Sequence, residues 1–358
     1  MPASPGITVI LPVYDVAAYL PGCLDSILAQ PCAAGLEVIA VDDASPDDCG
    51  RILDDRAAAD PRLQVVHLDR NGGQGNARNI ALQRTSGDYV WFVDADDQAA
   101  DGALAAITSA LTASKPDVLL IDWVSFYPGG RTEPNPGSAL LAAVPPDGCT
   151  LAEQPQLINL TMTSWSKLFR RDFLLGLGVS FAAGIHEDIL VTCAALLTAD
   201  VICAVDQVCY RYQRLRPGSA MATTSSGQTA VFDAYHRVFE LLASRAAAGQ
   251  QVTDAMQAAF FERAIWHYST VLQTTGFGVG RLGRPGLVPR SERRQFFARM
   301  HADFQRYRPA SYQHPDGPRG AKLRLIERGA YRTYSVLEPL NQARVALRRA
   351  AAGLGRQR

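Results

Sequence analysis

Tyr89-Val-Trp-Phe-Val-Asp-Ala-Asp-Asp97 is an apolar run of strand character that ends in three carboxylates, at Asp94, Asp96 and Asp97. Side chains alternate faces along a strand, so Asp94 and Asp96 share a face if the extended geometry persists to the strand's edge. Like charges at that spacing repel, and burial deepens the repulsion. A divalent cation held by the pair removes the conflict, and Mg²⁺ or Mn²⁺ suits oxygen ligands better than Zn²⁺ does. A solvated acidic turn is the simpler reading of an isolated Asp-x-Asp, so the flanking sequence decides between them.

Toward the N-terminus the same strand-to-turn unit repeats. Ile7 to Val13 reads as a buried strand stopped by Pro12, followed by helical apolar spacing from Tyr19 to Gln30. Leu36 to Val41 is a second strand, ending in Asp42-Asp43-Ala-Ser-Pro46, where Ser45 or Asp47 can cap a helix running to about Ala59. Leu63 to Leu68 is a third strand, and the Gly-rich turn Asn71-Gly-Gly-Gln-Gly75 leads into a helix from about Asn76 to Arg84. Strands and helices alternating at this rhythm predict βαβ units and an α/β fold with a doubly wound, mostly parallel sheet. Ligands of such sheets sit beyond the carboxyl ends of the strands. Pro12, Asp42, Asp43, Asp94 and Asp96 are therefore expected around one crevice.

Toward the C-terminus, Ala103 to Ser114 reads as a helix, Val118 to Phe126 as a strand, and the Pro/Gly-rich stretch from Pro128 to Gly148 as a long loop. Ser164-Trp-Ser-Lys-Leu-Phe169 precedes a short helix near Arg171, and His186-Glu-Asp-Ile opens another that runs to about Ala199. Val201 to Val205 and Val208 to Tyr212 read as two short strands, and Thr223 to Gln228 as a polar linker. Helical spacing returns over Ala230 to Ala248, Val252 to Gln273 and Ser291 to Tyr307, before a basic tail from Lys322. The expected division is a catalytic domain over residues 1–225 and a helical C-terminal region over 226–358.

Charge follows the same division. Residues 1–225 carry 14 Lys/Arg against 26 Asp/Glu, and residues 226–358 carry 21 against 9, so a net charge of zero hides two opposed halves. An acidic half fits a metal-assisted site, and a basic half fits a polyanion or an anionic membrane. Seven cysteines, with no Cys-x-x-Cys pair, point to free thiols in a reducing compartment. Met1 to Gly6 lacks a charged segment leading into an apolar core, and the longest apolar stretch, Ile189 to Ala199, falls short of the roughly 20 residues that span a bilayer. A cytoplasmic protein is expected.

Taken in order, Leu11-Pro-Val-Tyr-Asp15, Val41-Asp-Asp-Ala-Ser45, Asn71 to Asn79, Val93-Asp-Ala-Asp-Asp97 and the later Glu187-Asp188 resemble the family 2 glycosyltransferases that build bacterial surface polysaccharides and teichoic acid decorations. The resemblance covers roughly residues 7–220. It implies a Rossmann-like GT-A fold and inverting transfer of a sugar from a nucleotide diphosphate donor, usually a UDP-sugar, to an acceptor hydroxyl. Glycan, polyol-phosphate and lipid-linked acceptors all fall within that class. By the same resemblance Pro12, Val13 and Tyr14 line the base and ribose pocket, and Asp43 accepts a hydrogen bond from the base. Arg78 reaches the base or diphosphate. Asp96 ligates Mn²⁺ or Mg²⁺, while Asp94 holds ribose or completes the metal shell. Asp188 is the base, Glu187 supports the acceptor, Trp165 floors the acceptor site, and Arg214 and Ser219 close over the diphosphate, with Arg216 a further candidate.

Each assignment has a plainer alternative. Tyr14 can pack locally, Asp43 can cap a helix, and Arg78 can be an exposed helix arginine. Carboxylates that open a helix are favoured by its dipole by about 0.3–1 kcal/mol, which covers Glu187 and Asp188. Trp165 can be core. The tail from Lys322 holds nine Lys/Arg and two Glu interleaved with apolar residues, which suits either an interfacial helix on anionic lipid or a packing or oligomerisation helix. Nucleic-acid binding is not expected, since no recognised motif accompanies the charge. Two rivals to the transferase are a sugar nucleotidyltransferase, which needs a Gly-rich basic loop where Pro12-Val-Tyr-Asp stands, and a non-catalytic nucleotide-binding protein.

Overall fold

The structure, a computed structural model, describes residues 6–32, 35–216, 224–272 and 286–337. It divides into two compact units, Met1–Arg216 and Pro217–Arg358, a boundary that precedes the polar linker singled out in the sequence.

The first unit is built on β1, Ile7–Val13, whose seven residues are all buried. A continuous apolar run of this kind suits the middle of a parallel sheet covered on both faces. In chain order there follow α1 (Leu20–Leu28), β2 (Leu36–Asp42), α2 (Cys49–Ala59), β3 (Leu63–His67), α3 (Gln74–Leu82), β4 (Tyr89–Phe92), β5 (Gln98–Ala99), α4 (Ala103–Ser114), β6 (Val118–Phe126), β7 (Thr132–Pro134), α5 (Ser138–Leu141), β8 (Lys167–Arg170), α6 (Arg171–Gly176), α7 (Ile189–Thr198) and β9 (Ile202–Gln213). The strand order is β3-β2-β1-β4-β8-β6-β9-β5, with β7 paired to β6. From β3 to β4 the pairing is wholly parallel. Beyond β4 it is mixed, because β8 lies antiparallel to both β4 and β6 while β6 and β9 run parallel.

Three expectations change. The stretch from Pro128 to Gly148 is not all loop: it contains β7 and α5, folded over Asp122, which is buried to 8% exposure. Asn135 Nδ2 and Ser138 Oγ donate to that carboxylate at 2.7 and 2.8 Å, and a buried charge needs such partners. The two short strands after Ala199 are one, β9, whose register against β6 slips at Ile121/Asp122 and Asp122/Trp123. The strand at Tyr89 stops at Phe92, before the aspartates.

The second unit contains α8 (Ala230–Ala247), α9 (Asp254–Leu272), α10 (Arg293–Tyr307) and α11 (Gly317–Glu327). Phe232 packs on Tyr268 and Phe296 with both ring centroids 4.5 Å away, and Phe261 on Phe304 at 5.0 Å. The first part of the basic tail belongs to this core. Ile326 and Tyr334 are buried, Tyr334 against Phe297 at 4.9 Å, and His301 Nδ1 bonds the Ile326 carbonyl oxygen at 2.9 Å. The expected interfacial face is therefore covered over α11, because its apolar side chains are those that α10 packs against. Residues 338–358 lie outside the described residues. Among those described, no helix is long and apolar enough to cross a membrane.

Candidate active site

The strand ends converge as the topology requires. Asp43 N donates to the Val13 carbonyl at 2.9 Å, and Val93 N to that of Ile10 at 3.0 Å, so the exits of β1, β2 and β4 lie side by side. Asp43, 2% exposed, accepts from Gly72 N and Gly73 N, each at 2.7 Å. Both its oxygens thus fold the Gly-rich turn onto the end of β2. Gly73, at φ +85°, adopts a backbone that favours glycine and opens α3. Gly75 lies so close to the 181–187 segment that a Cβ there would come 2.2 Å from the Ala182 carbonyl oxygen.

That close approach places Arg78 between two distant carboxylates. The residue is 1% exposed; Nη1 donates to Glu187 Oε1 at 2.5 Å and Nη2 to Asp94 Oδ1 at 2.7 Å. Its ring neighbour Phe181 lies 5.4 Å away and is pinned by Asn79, which both donates to and accepts from the Phe181 backbone. Arg78 is accordingly not an exposed helix arginine: it bridges Asp94 and Glu187 across the site. Burial opposes its charge, but Asp94, Glu187 and Asp188 together raise its pKa above the usual arginine value.

Asp94 to Asp97 form a turn, with Asp97 N donating to the Asp94 carbonyl at 2.9 Å, so extended geometry does not carry the pair onto one face. Asp94 accepts from Arg78 and from Gln74 Nε2 at 2.6 Å. Asp96 instead accepts from Arg216 Nε at 2.5 Å. Asp97 is buried to 1% exposure; its Oδ2 accepts from the Tyr210 hydroxyl at 2.7 Å and its Oδ1 from Gln213 N at 2.6 Å. Burial pushes the Asp94 carboxyl up to about 6 against the pull of Arg78, and burial together with Asp96 and Asp94 pushes Asp97 well above the usual range. Carboxylates under such mutual stress fit a hard cation, and Mg²⁺ or Mn²⁺ commonly uses one or two of them with phosphate oxygens completing the shell. Among the described residues no group of three or more His, Cys, Asp or Glu is arranged to hold a metal alone.

Asp188 begins α7, yet its side chain makes no capping hydrogen bond. Its Oδ2 accepts from Ser164 N at 3.3 Å. Burial first, then Glu187 and Asp94, push its pKa up to about 7, opposed by Arg78 and by the Ser164 amide. His186 precedes the pair at φ +64°, an uncommon backbone for a residue with a side chain.

The remaining expected residues divide. Pro12 and Val13 are buried, whereas Tyr14 is 46% exposed. Trp165, at 4% exposure, is core: it stacks on Tyr210 at 4.5 Å and Tyr212 at 5.3 Å, and Trp123 meets it edge-on at 5.4 Å. Burial among three rings leaves it packing behind the site instead of flooring an open one. Arg214 lies over the Tyr212 ring at 5.0 Å, its amide bonded to the Phe126 carbonyl. Ser219 lies outside the described residues. Sequence reasoning missed Gln74, Asp97, Tyr210 and Ser164 and ranked Arg216 low. Asp97 had a visible signal, as the third acid of its run.

Residues 8–177 match the family model described as "Glycosyl transferase family 2". An uncharacterised glycosyltransferase of Bacillus subtilis, EpsJ, is 27% identical over 212 residues, which is 58% of this chain and 61% of that protein. Poly(ribitol-phosphate) beta-N-acetylglucosaminyltransferase TarS of Staphylococcus aureus is 30% identical over 220 residues, 60% of this chain and 37% of that one. These alignments span less than two thirds of either relative. In fold, TarS 1-349 solved with UDP-GlcNAc superposes with a TM-score of 0.71 at 22% identity, covering 94% of this chain and 91% of that one. A Pyrobaculum calidifontis mannosyltransferase solved with GDP-Man and Mn²⁺ gives 0.52 at 18% identity, covering 96% and 85%. Residues 8–177, a little under half of the chain, thus carry a glycosyltransferase family 2 domain.

Proposed function

We propose that the protein is an inverting, metal-dependent glycosyltransferase that moves a sugar from a UDP-sugar to an acceptor hydroxyl in cell-surface polysaccharide or teichoic acid synthesis. The observation that carries this reading is the bridge from Asp94 through Arg78 to Glu187, which joins the acidic turn after β4 to the Glu187-Asp188 pair about ninety residues later.

Inversion requires a proton acceptor on the side of the sugar opposite the leaving diphosphate. An alcohol hardly ionises near neutral pH, so a carboxylate must take its proton as attack proceeds. Asp188, with its pKa raised to about 7, is matched to that task. Glu187 is held by Arg78 and orients the neighbouring carboxylate and the acceptor. Pro12, Val13 and Tyr14 form the nucleoside wall, and Asp43 holds the Gly-rich turn to which the base is brought. Asp94 and Asp96 are the residues that would hold Mn²⁺ or Mg²⁺, which stabilises charge developing on the leaving diphosphate. Arg214, Arg216 and Ser219 are assigned to the diphosphate as the closing segment, and Trp165 to supporting the acceptor side from behind.

The TarS likeness favours UDP-N-acetylglucosamine as donor and a polyol-phosphate acceptor over a free glycan or lipid-linked one. Peripheral association with an anionic membrane rests on the five arginines within 338–358, and a homo-oligomer on the helical second unit. Asp188→Asn is expected to lower transfer by at least a thousandfold while UDP affinity stays within about twofold. The wild-type rate should fall about tenfold per pH unit below about 7, because only the ionised Asp188 accepts a proton. Equal loss of transfer and UDP binding in Asp188→Asn would remove it as the base.

A further inference from the structure

Lys167 opens β8 and is 1% exposed. A buried ammonium is costly unless its donors are satisfied, and a methionine of similar length would fill the same space without that cost. The side chain turns back on the segment before it. Nζ donates to the Thr161 carbonyl at 2.7 Å, to the Thr163 carbonyl at 3.0 Å and to Ser166 Oγ at 3.0 Å. Ser166 Oγ in turn donates to the Thr163 carbonyl at 3.1 Å. Two carbonyls and a hydroxyl of the 161–166 turn therefore converge on one charge.

The turn so held meets the candidate base. Ser164 N donates to Asp188 Oδ2 at 3.3 Å, at the long end for such a bond, so a small drift of the turn would break it. The hydroxyl of Ser164 is fully buried and has no hydrogen-bond partner among the described residues, so it does not brace the turn. Thr192, one helical turn beyond Asp188, reaches the Met162 carbonyl at 3.4 Å and the Asp188 carbonyl at 2.8 Å, tying α7 to the same segment. On the far side the Trp165 carbonyl accepts from Trp91 Nε1 at 3.0 Å.

We propose that Lys167 is a positioning residue for the proton acceptor: its ammonium shapes the 161–166 turn so that the Ser164 amide holds the Asp188 carboxylate in one orientation. This deepens the reading of Asp188 as base and rests on it for its catalytic meaning. The other charged groups around Asp188 are Glu187, Arg78 and Asp94, with His186 adjacent in the chain. Arg78 is held by Glu187 and Asp94, a bridge that uses no residue of the 161–166 turn.

The test reads Asp188 directly, whatever the sugar or acceptor. In the full chain labelled with ¹³C at aspartate carboxyls, the Asp188 signal is assigned by its loss in Asp188→Asn and titrated in wild type, Lys167→Met and Ser166→Ala. Losing the amide bond disfavours the carboxylate, so the midpoint should rise by about one pH unit in Lys167→Met and by less in Ser166→Ala. UDP affinity should stay within about twofold in both, since Asp43 and the Gly-rich segment are held by their own hydrogen bonds. A rise in Lys167→Met with none in Ser166→Ala would mean that only the charge acts through space, which overturns the positioning role. Unchanged midpoints in both overturn it as well. If Lys167→Met does not fold, the direction in Ser166→Ala decides alone. Failure of the base reading shows separately, as retained transfer in Asp188→Asn, and leaves these midpoints unaffected.

Discussion

At the scale of single residues, Arg78 organises the site. One planar guanidinium serves two carboxylates that the chain brings from opposite directions, a geometry that lysine, a compact point charge, cannot reproduce. Arg78→Ala would leave Asp94 and Glu187 facing each other without a counter-charge. Breaking a buried pair of this kind costs about 3–5 kcal/mol, so thermal unfolding should shift down by several degrees. Arg78→Lys should recover less than half of that loss. An unchanged unfolding temperature in Arg78→Ala would show the bridge to be incidental. The sequence presented Arg78 and Asp43 as donor-binding candidates because their positions after the Gly-rich turn and β2 were legible. Their actual partners were not, since Glu187 lies more than a hundred residues from Arg78 and nothing local encodes that meeting.

At the scale of elements, β1 to β4 were readable because buried parallel strands are written as apolar runs bounded by turn residues. The acidic end of β4 was misread in shape: an i to i+3 turn separates Asp94 from Asp96, and local alternation says nothing of where a strand stops. The end of β9 was harder still, because its grip on the site comes from Asp97 holding Tyr210 and the Gln213 amide. From that anchor Arg216 reaches Asp96 and sits on the carboxylate assigned to the cation. Arg216→Ala should therefore raise donor-free Mn²⁺ affinity about tenfold, as loss of one charge-assisted hydrogen bond competing for that carboxylate implies. Titration calorimetry with Mn²⁺ alone checks it; equal affinity in variant and wild type would mean that the arginine and the ion do not compete.

At the scale of the whole molecule, the charge asymmetry read from the sequence maps onto two separate units, each with its own core. The basic tail was legible as amphipathic but not as packed, because an apolar stripe looks the same whether it meets lipid or another helix. Deleting 338–358 should weaken sedimentation with anionic liposomes. Deleting 322–358 should also unfold the second unit at a lower temperature, since Ile326 and Tyr334 leave its core. Full liposome binding without 338–358 would discard the tail as an anchor. Between Gly75 and the Ala182 carbonyl there is clearance for a hydrogen atom and little more. Any segment grafted in place of 181–187 must keep the main-chain path at 182, or the transplanted backbone will pry α3 away from its seat.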